Sequence, residues 1–178
     1  DTRGDLEATY AADVFSFILS QKSSKLQRDL VDSGLALQVS VSYQTNKYTG
    51  PINIFLVPNP AKVKEAYAKL KEHIAMWNDP DYYTQEQIET AKTQLAIEDA
   101  YGQEKTSEYI HTVTYWWASA SIDYYVNYVE ELKEVTPEDI TRYVEKYIQG
   151  QPKAVGILVS PAMQEQMGID NAEDFLNQ

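Results

Sequence analysis

The spacing of apolar residues changes partway through the segment 22–43. Up to Ser33 the spacing is helical, and beyond Gly34 apolar residues alternate with polar ones: Leu35, Leu37, Val39, Val41 and Tyr43. Strict alternation predicts a half-buried strand, because successive side chains point to opposite faces of a sheet. A glycine at the junction can adopt the left-handed conformation that ends many helices. The segment therefore predicts a helix that turns into a strand, with the alternating apolar residues facing a helix layer.

The same periodicities along the chain predict an α+β fold. They place helices at 5–20, 24–32, 60–78, 85–104, 107–119, 121–134 and 137–150, and strands at 35–45, 52–57 and 154–159. Turn residues at 46–50 favour an antiparallel hairpin between the first two strands. Thr84 and Gln87 have the spacing of a capping box at a helix start. We expect two or three antiparallel strands with helices packed mainly on one face of the sheet.

Chain length and composition set the expected organisation. A chain of 178 residues fits one domain. We assign residues 1–160 to a single α+β domain. Residues 161–178 contain acids, no base and little periodicity, so they are expected to form an acidic tail or linker with a weak final helix. The start at Asp1, without an apolar leader, is interpreted as a removed leader or as a piece of a longer protein.

Charge and composition exclude several classes of partner and chemistry. Fifteen basic against 27 acidic side chains give a formal net charge of -12, which repels a phosphate backbone, so nucleic acid is not expected as a partner. The chain has no cysteine, which excludes disulfides and thiolate chemistry. No apolar run approaches the ~20 residues that a membrane span requires. A periplasmic or a cytoplasmic location both fit a soluble chain of this composition.

The two histidines do not form a recognisable metal motif. Glu108 and His111 have the Glu-x-x-His spacing of di-iron bundles, but such a site needs a second copy, and His73 has no glutamate three residues before it. Neither His-Glu-x-x-His nor its inverse His-x-x-Glu-His occurs. His73 is interpreted as a surface or edge histidine. We expect no catalytic residue, no metal ligand set and no bound cofactor in this chain, and the residues do not identify a substrate-binding site.

Aromatic residues are dense between 115 and 128. Helical spacing places Trp117 and Tyr125 on core stripes, with three further rings beside them: Trp116, Tyr124 and Tyr128. These rings could form a platform for a sugar or peptide. The favoured interpretation is core packing together with a contact surface for another subunit.

Four stretches carry a resemblance to a known family. Residues 23–36, Ser-Ser-Lys-Leu-Gln-Arg-Asp-Leu-Val-Asp-Ser-Gly-Leu-Ala, resemble the Ser-Ser-Arg-Leu…Leu…Gly-Leu-Ala segment of the insulinase/pitrilysin-type metallopeptidases, the inverzincins. In the same order follow residues 84–92, similar to that family's Thr-x-x-Glu-Leu-x-x-Ala-Lys helix start, and residues 135–147, similar to its Val-Thr-x-x-Asp-Ile…Lys-Tyr helix. Residues 159–161 resemble its terminal strand ending in proline. The resemblance covers about residues 6–161.

The resemblance implies a metallopeptidase half-domain without catalytic residues. In this family two homologous halves close around an unfolded peptide, and one half carries zinc on the inverted motif. The present chain resembles the other, C-terminal-type half, which often supplies an arginine and a tyrosine to the transition state. Leu37 stands at the usual tyrosine position, and Val31 stands at the usual arginine position in a loop one residue shorter. Zinc is therefore expected in the partner domain, and the family's opening strand is expected ahead of Asp1.

Two functions of different class follow from this resemblance. The favoured one is the non-catalytic half of a zinc-dependent endopeptidase, enclosing unfolded peptide opposite a homologous zinc-bearing domain or subunit. In that role, strand 35–45 or 50–57 is a candidate edge for an added peptide strand. The alternative is a catalytically inactive scaffold or protein-interaction domain of the same fold. A free-standing, aromatic-lined ligand-binding module is a third, more distant alternative. A His-x-x-Glu-His motif in the adjoining domain or neighbouring gene would favour the endopeptidase half, and its absence would favour the scaffold.

Overall fold

The fold combines one two-stranded antiparallel sheet with a set of helices. The structure is a computed structural model, and it describes residues 4–167 and 171. Its helices are α1 Leu6–Ser20, α2 Lys25–Gln27, α3 Val63–Met76, α4 Gln85–Gly102, α5 Thr106–Ser119, α6 Ile122–Val126, α7 Tyr128–Glu134, α8 Pro137–Tyr147 and α9 Pro161–Met167. The strands are β1 Ala36–Tyr43 and β2 Ile52–Pro58, and short 3₁₀ turns span Pro60–Lys62 and Pro80–Tyr82. The predicted α+β class is confirmed.

Helix α1 is the centre of the core. Asp5 caps its start, because the backbone N–H of Ala8 donates to Asp5 Oδ1 at 3.3 Å. Along its length α1 contacts β1, α4, α7 and α8. Phe15 is fully buried, and its ring meets the edge of Trp77 at 5.3 Å between centroids. The apolar stripe of α1 thus joins the sheet to the helices that follow it.

The predicted helix-to-strand junction is present. Helix α2 continues into a π-helical turn, Arg28–Asp32, where Leu30 is fully buried. Gly34 follows with φ +73°, the left-handed conformation expected there. Its backbone N–H donates to the carbonyl of Val31 at 3.0 Å, so this glycine closes the turn before β1 begins.

The strand register confirms most of the predicted facing, but the prediction for Leu37 is wrong. Val39 pairs with Leu56, and Val39 and Val41 are buried towards the helices. Between Ala36 and Gln38 the register shifts, and this irregularity leaves Leu37 68% exposed while Ala36 is buried. A β-bulge inserts one residue, which reverses the inside–outside alternation on its N-terminal side.

Two further predicted elements differ from the structure. Residues 154–159 do not form a strand, and Leu158 is 100% exposed. A strand requires a neighbouring strand to pair with, and the apolar run alone does not provide one. The predicted helix 121–134 is divided into α6 and α7 at Asn127. Tyr124 and Tyr128, on either side of that break, both contact the ring of Tyr10.

The predicted acidic tail is described only in part. Helix α9 occupies its first residues, whereas 168–170 and 172–178 lie outside the described residues. In the part of the chain that the structure describes, no helix has both the length and the apolar content needed to cross a bilayer.

Candidate functional site

His73 is buried, so its interpretation as a surface histidine is wrong. It lies on the inner face of α3, and its Nδ1 is 2.7 Å from Tyr82 Oη. Its Nε2 lies 3.4 Å from Asp29 Oδ2. Burial lowers the pKa of His73, which keeps the imidazole neutral at neutral pH. The ring links α3 to the turn that carries Tyr82, and this geometry gives it a structural role.

Unlike His73, His111 and Glu108 lie on the exposed surface of α5. His111 is exposed on α5, and Glu108 Oε1 accepts a hydrogen bond from Lys105 Nζ at 2.9 Å. Within residues 4–167 and 171, no three His, Cys, Asp or Glu side chains come together in a way that could hold a metal ion. His73 and His111 therefore do not form a common metal site among the described residues.

The two positions at which the resemblance places polar groups hold apolar side chains. Leu37 is exposed at the bulge that opens β1, and Val31 lies partly buried in the π-helical turn. An aliphatic side chain can neither donate a hydrogen bond nor carry a charge to a transition state. The position of Leu37 nevertheless faces outward, where its side chain can contact a bound molecule.

One face of the sheet and the strand β2 are only partly covered. Ser40 pairs with Phe55 on the face away from the helices, and Phe55 is 55% exposed. On the opposite face, β1 buries Val39 and Val41, whereas the equivalent residues of β2 are only partly buried: Ile52, Ile54 and Leu56. On β1, the carbonyl of Val39 accepts a hydrogen bond from the side-chain amide of Gln27 at 3.1 Å. Of the two predicted candidate strands, β2 is the more open.

A cavity of about 360 Å³ lies between α1, α4, α5, α6, α7 and the end of β1. Its lining residues come from separate parts of the chain, so no sequence motif predicts this cavity. Three carboxylates line it: Asp13, Glu98 and Asp99. Five aromatic side chains form much of the remaining wall: Tyr43, Tyr115, Trp116, Tyr125 and Tyr128. No lysine, arginine or histidine is among the described residues that line it, so the cavity is acidic and aromatic.

Asp13 is held by two hydrogen bonds in this cavity. The Tyr43 hydroxyl donates to its Oδ1 at 2.8 Å, and the Tyr128 hydroxyl donates to its Oδ2 at 2.9 Å. Burial raises the pKa of Asp13 to about 6, although the two hydrogen bonds act in the opposite direction. One sequence signal was available, because this acid interrupts the run Ala11-Ala12-Asp13-Val14-Phe15 in the core helix.

The aromatic run between 115 and 128 is arranged differently from the prediction. Trp117, expected in the core, is 69% exposed, and Tyr124, expected beside it, is 2% exposed and stacks on Tyr10 at 4.9 Å. Helix α5 contacts the core through the side that carries Trp116, and the next residue, about 100° further round a helix, faces outward. Four exposed apolar residues of α5 and α6 are here called the α5–α6 surface: Ile110, Trp117, Ile122 and Val126.

Comparison with solved structures supports the fold. The crystal structure of a protease from Helicobacter pylori matches with a TM-score of 0.67 and 20% sequence identity, over 80% of this chain and 35% of that chain. At this identity the likeness concerns the fold alone. The chain spans about a third of that protease's length. No curated protein matches the chain significantly.

Comparison with protein families is more specific. A family model described as the peptidase M16 inactive domain matches residues 3–95, just over half of the chain. The match spans α1, the helix-to-strand junction, both strands, α3 and the first half of α4. It confirms the resemblance to the non-catalytic half-domains of insulinase/pitrilysin-type metallopeptidases, and the chain belongs to the peptidase M16 inactive-domain family.

Proposed function

We propose that this chain is the non-catalytic half of a zinc-dependent endopeptidase, which encloses unfolded peptide opposite a homologous zinc-bearing half. The observation that carries the proposal is the inactive-domain match over residues 3–95, which includes the whole sheet. The zinc ion, the attacking water and the general base belong to the other half in this proposal. This division of labour agrees with the aliphatic side chains at positions 31 and 37.

The open strand supports the peptide-enclosing role. An extended peptide can pair its backbone with an uncovered strand edge, which gives affinity without requiring a particular sequence. Beside β2, the outward face carries the half-exposed Phe55 ring together with the polar Ser40 and Asn53. A surface of mixed polarity suits an unfolded substrate, which presents both apolar and polar side chains. We therefore assign the peptide wall to β2 and to the outward-facing Leu37.

The α5–α6 surface supports contact with the other half. It exposes 69% of Trp117 and 71% of Val126, although a monomer gains nothing from exposing such side chains to water. The chain spans about a third of the matched protease, so a protein of that size has further polypeptide available to cover this surface. This assignment replaces the predicted contact residues, since Tyr124 is buried and Trp116 and Tyr128 are partly covered.

Reconstitution tests the proposal. The zinc-bearing half encoded in the same or the neighbouring gene is expressed with and without this chain, and hydrolysis of an unfolded peptide is measured. We expect efficient hydrolysis only when both halves are present. Equal hydrolysis by the zinc-bearing half alone contradicts the proposal and favours the inactive scaffold. The scaffold is also favoured if neither gene encodes a His-x-x-Glu-His motif.

Two variants separate the peptide wall from the contact surface. Phe55→Ser is expected to raise KM with little change in kcat, because it removes a contact with peptide that is the same in the ground and transition states. Trp117→Ser is expected to weaken association of the halves, so its activity recovers when the concentration of both halves is raised. Glu134→Gln, at the exposed end of α7, is the control and should match the unaltered chain in both assays.

A further inference from the structure

The cavity beside Asp13 has walls suited to an organic cation. We propose that it receives the guanidinium or ammonium group of an arginine or lysine at the point where the enclosed peptide passes the start of β2, because Ile52 there pairs with Tyr43 of the cavity lining. This inference rests on the proposed function. Neither the family match nor the fold comparison assigns a ligand to this cavity. Its volume of about 360 Å³ lies at the lower end of the range for small-ligand sites, which suits a side chain rather than a bulky group.

The carboxylates provide the charge. Each oxygen of Asp13 accepts one tyrosine hydroxyl and retains a further lone pair, so a planar guanidinium can bind without displacing Tyr43 or Tyr128. In Asp99, Oδ2 accepts from the Gln103 side-chain amide at 2.7 Å. Glu98 adds a third negative charge to the lining. None of the described lining residues is basic, so an incoming cation provides the first positive charge in the cavity.

The aromatic rings provide the walls. A cation placed over the face of a tryptophan or tyrosine is attracted by the ring's quadrupole, and tryptophan is the strongest partner. The Trp116 ring is held between Tyr115 at 5.3 Å and Tyr124 at 4.7 Å between centroids. Rings held in this way lose little conformational freedom when a ligand binds. A divalent metal ion is a poorer fit, since aromatic walls offer few of the oxygen ligands that such ions require.

Asp13 itself indicates a function beyond packing. It lies on the central helix of the core, where burial raises its pKa and where an apolar residue would pack without any desolvation cost. Perturbed carboxylates in a cleft are concentrated at functional sites. Behind the same wall, the Tyr124 hydroxyl is buried and makes no hydrogen bond among the described residues. These two unfavourable features, so close together, agree with a cavity shaped for binding rather than for stability.

Calorimetric titration of the chain at neutral pH provides the test. The probes are a blocked Gly-Arg-Gly tripeptide and its Gly-citrulline-Gly counterpart, which has nearly the same shape without the charge. We expect the arginine peptide to bind about tenfold more tightly, because only the charged group gains the ion-pair and cation–π terms. Asp13→Asn should remove most of that preference. Glu134→Gln, an exposed acid outside the cavity, should retain it.

Two further variants protect the test against a misfolded Asp13→Asn protein. Asp99→Asn and Trp116→Leu change other parts of the lining, and each should reduce the preference for arginine roughly threefold or more. Circular dichroism of every variant checks that it is folded. Equal affinity for the two peptides overturns the inference, as does a preference that all folded cavity variants retain.

A third probe distinguishes a peptide side chain from a free organic cation. Agmatine carries the guanidinium without a peptide backbone. Weaker binding of agmatine than of the arginine peptide supports the peptide assignment, whereas agmatine binding about tenfold more tightly overturns it. If these titrations fail while the zinc-bearing half still requires this chain for hydrolysis, only the present inference is lost. If hydrolysis does not require the chain, the proposed function fails independently of the titrations.

Discussion

Helices α1 and α5 have similar lengths and both carry many apolar residues, but their surroundings are very different. α1 has 15 residues, eight of which are buried: Thr9, Tyr10, Ala11, Ala12, Val14, Phe15, Ile18 and Leu19. α5 has 14 residues, and Ser119 is its only buried one. Each carries large apolar side chains at helical spacing. Periodicity predicted both helices correctly, yet only one of them became part of the core.

The difference lies in the partners that each helix finds. α1 is surrounded by β1, α4, α7 and α8, whereas α5 packs chiefly against the short α6. An apolar stripe indicates that a helix is covered, and it does not specify what covers it. For α5 the proposed cover is the zinc-bearing half of the proposed endopeptidase. The following predictions test this contrast, starting with the largest expected effect.

Truncating one large ring in each helix should change the free energy of unfolding by very different amounts. Phe15→Ala should lower the free energy of unfolding by about 3–5 kcal/mol, because the ring is fully buried against Trp77 and its loss leaves a cavity. Trp117→Ala should change it by less than about 0.5 kcal/mol, as expected for an exposed side chain. Urea unfolding of both variants measures the difference. Similar losses would show that α5 is part of the folded core.

Neutralising the acid on α1 should stabilise the protein in a pH-dependent way. The pKa of Asp13 is raised to about 6 from 3.8 by burial and by Glu98, so the folded state binds this proton more tightly than the unfolded state does. The stabilisation that arises from protonating Asp13 is therefore fully present below about pH 4 and is lost as the pH rises through about 6. Asp13→Asn should raise the free energy of unfolding at pH 8 by roughly 1–2 kcal/mol, after allowing for one weakened tyrosine hydrogen bond.

The pH profile is the control for that effect. The advantage of Asp13→Asn should shrink as the pH falls from about 6 to below about 4, where the Asp13 carboxyl is protonated in both the folded and the unfolded state. Glu134→Gln should show neither the gain nor this profile, because Glu134 is exposed. A destabilised Asp13→Asn protein at pH 8 would contradict the assigned direction of the pKa shift.

The helix starts should give the smallest effects. The N-cap of α1, Asp5, accepts a hydrogen bond from the first turn, whereas the N-cap of α5, Lys105, makes no side-chain cap hydrogen bond. Lys105→Ser places a serine three residues before Glu108, the spacing of a capping box, and should stabilise α5 locally by roughly 0.5–1 kcal/mol. Hydrogen exchange of α5 amides should slow while global unfolding changes little, since α5 opens separately from the core. A matching rise in global stability would show that α5 unfolds together with α1.

The sequence predicted features that depend on near neighbours along the chain. Both hydrogen bonds of the capping box at the start of α4 are present. The Gln87 N–H donates to Thr84 Oγ1, and the Thr84 N–H donates to Gln87 Oε1. Gly34 has the left-handed conformation that its position implied. The hairpin and most helix bounds follow for the same reason, because turn chemistry and side-chain periodicity act within a few residues. The family resemblance, carried by such local motifs, was confirmed as well.

Tertiary structure alone decided the features that depend on distant residues. Leu37 faces outward because of a bulge that only strand pairing reveals, and residues 154–159 lack a paired neighbour among the described strands. His73 is buried because Tyr82 and the π-helical turn close over it. The acidic cavity joins Asp13 to Tyr128 across 115 positions of sequence. Burial and long-range hydrogen bonding depend on which elements contact each other in space, and periodicity along the chain does not specify those contacts.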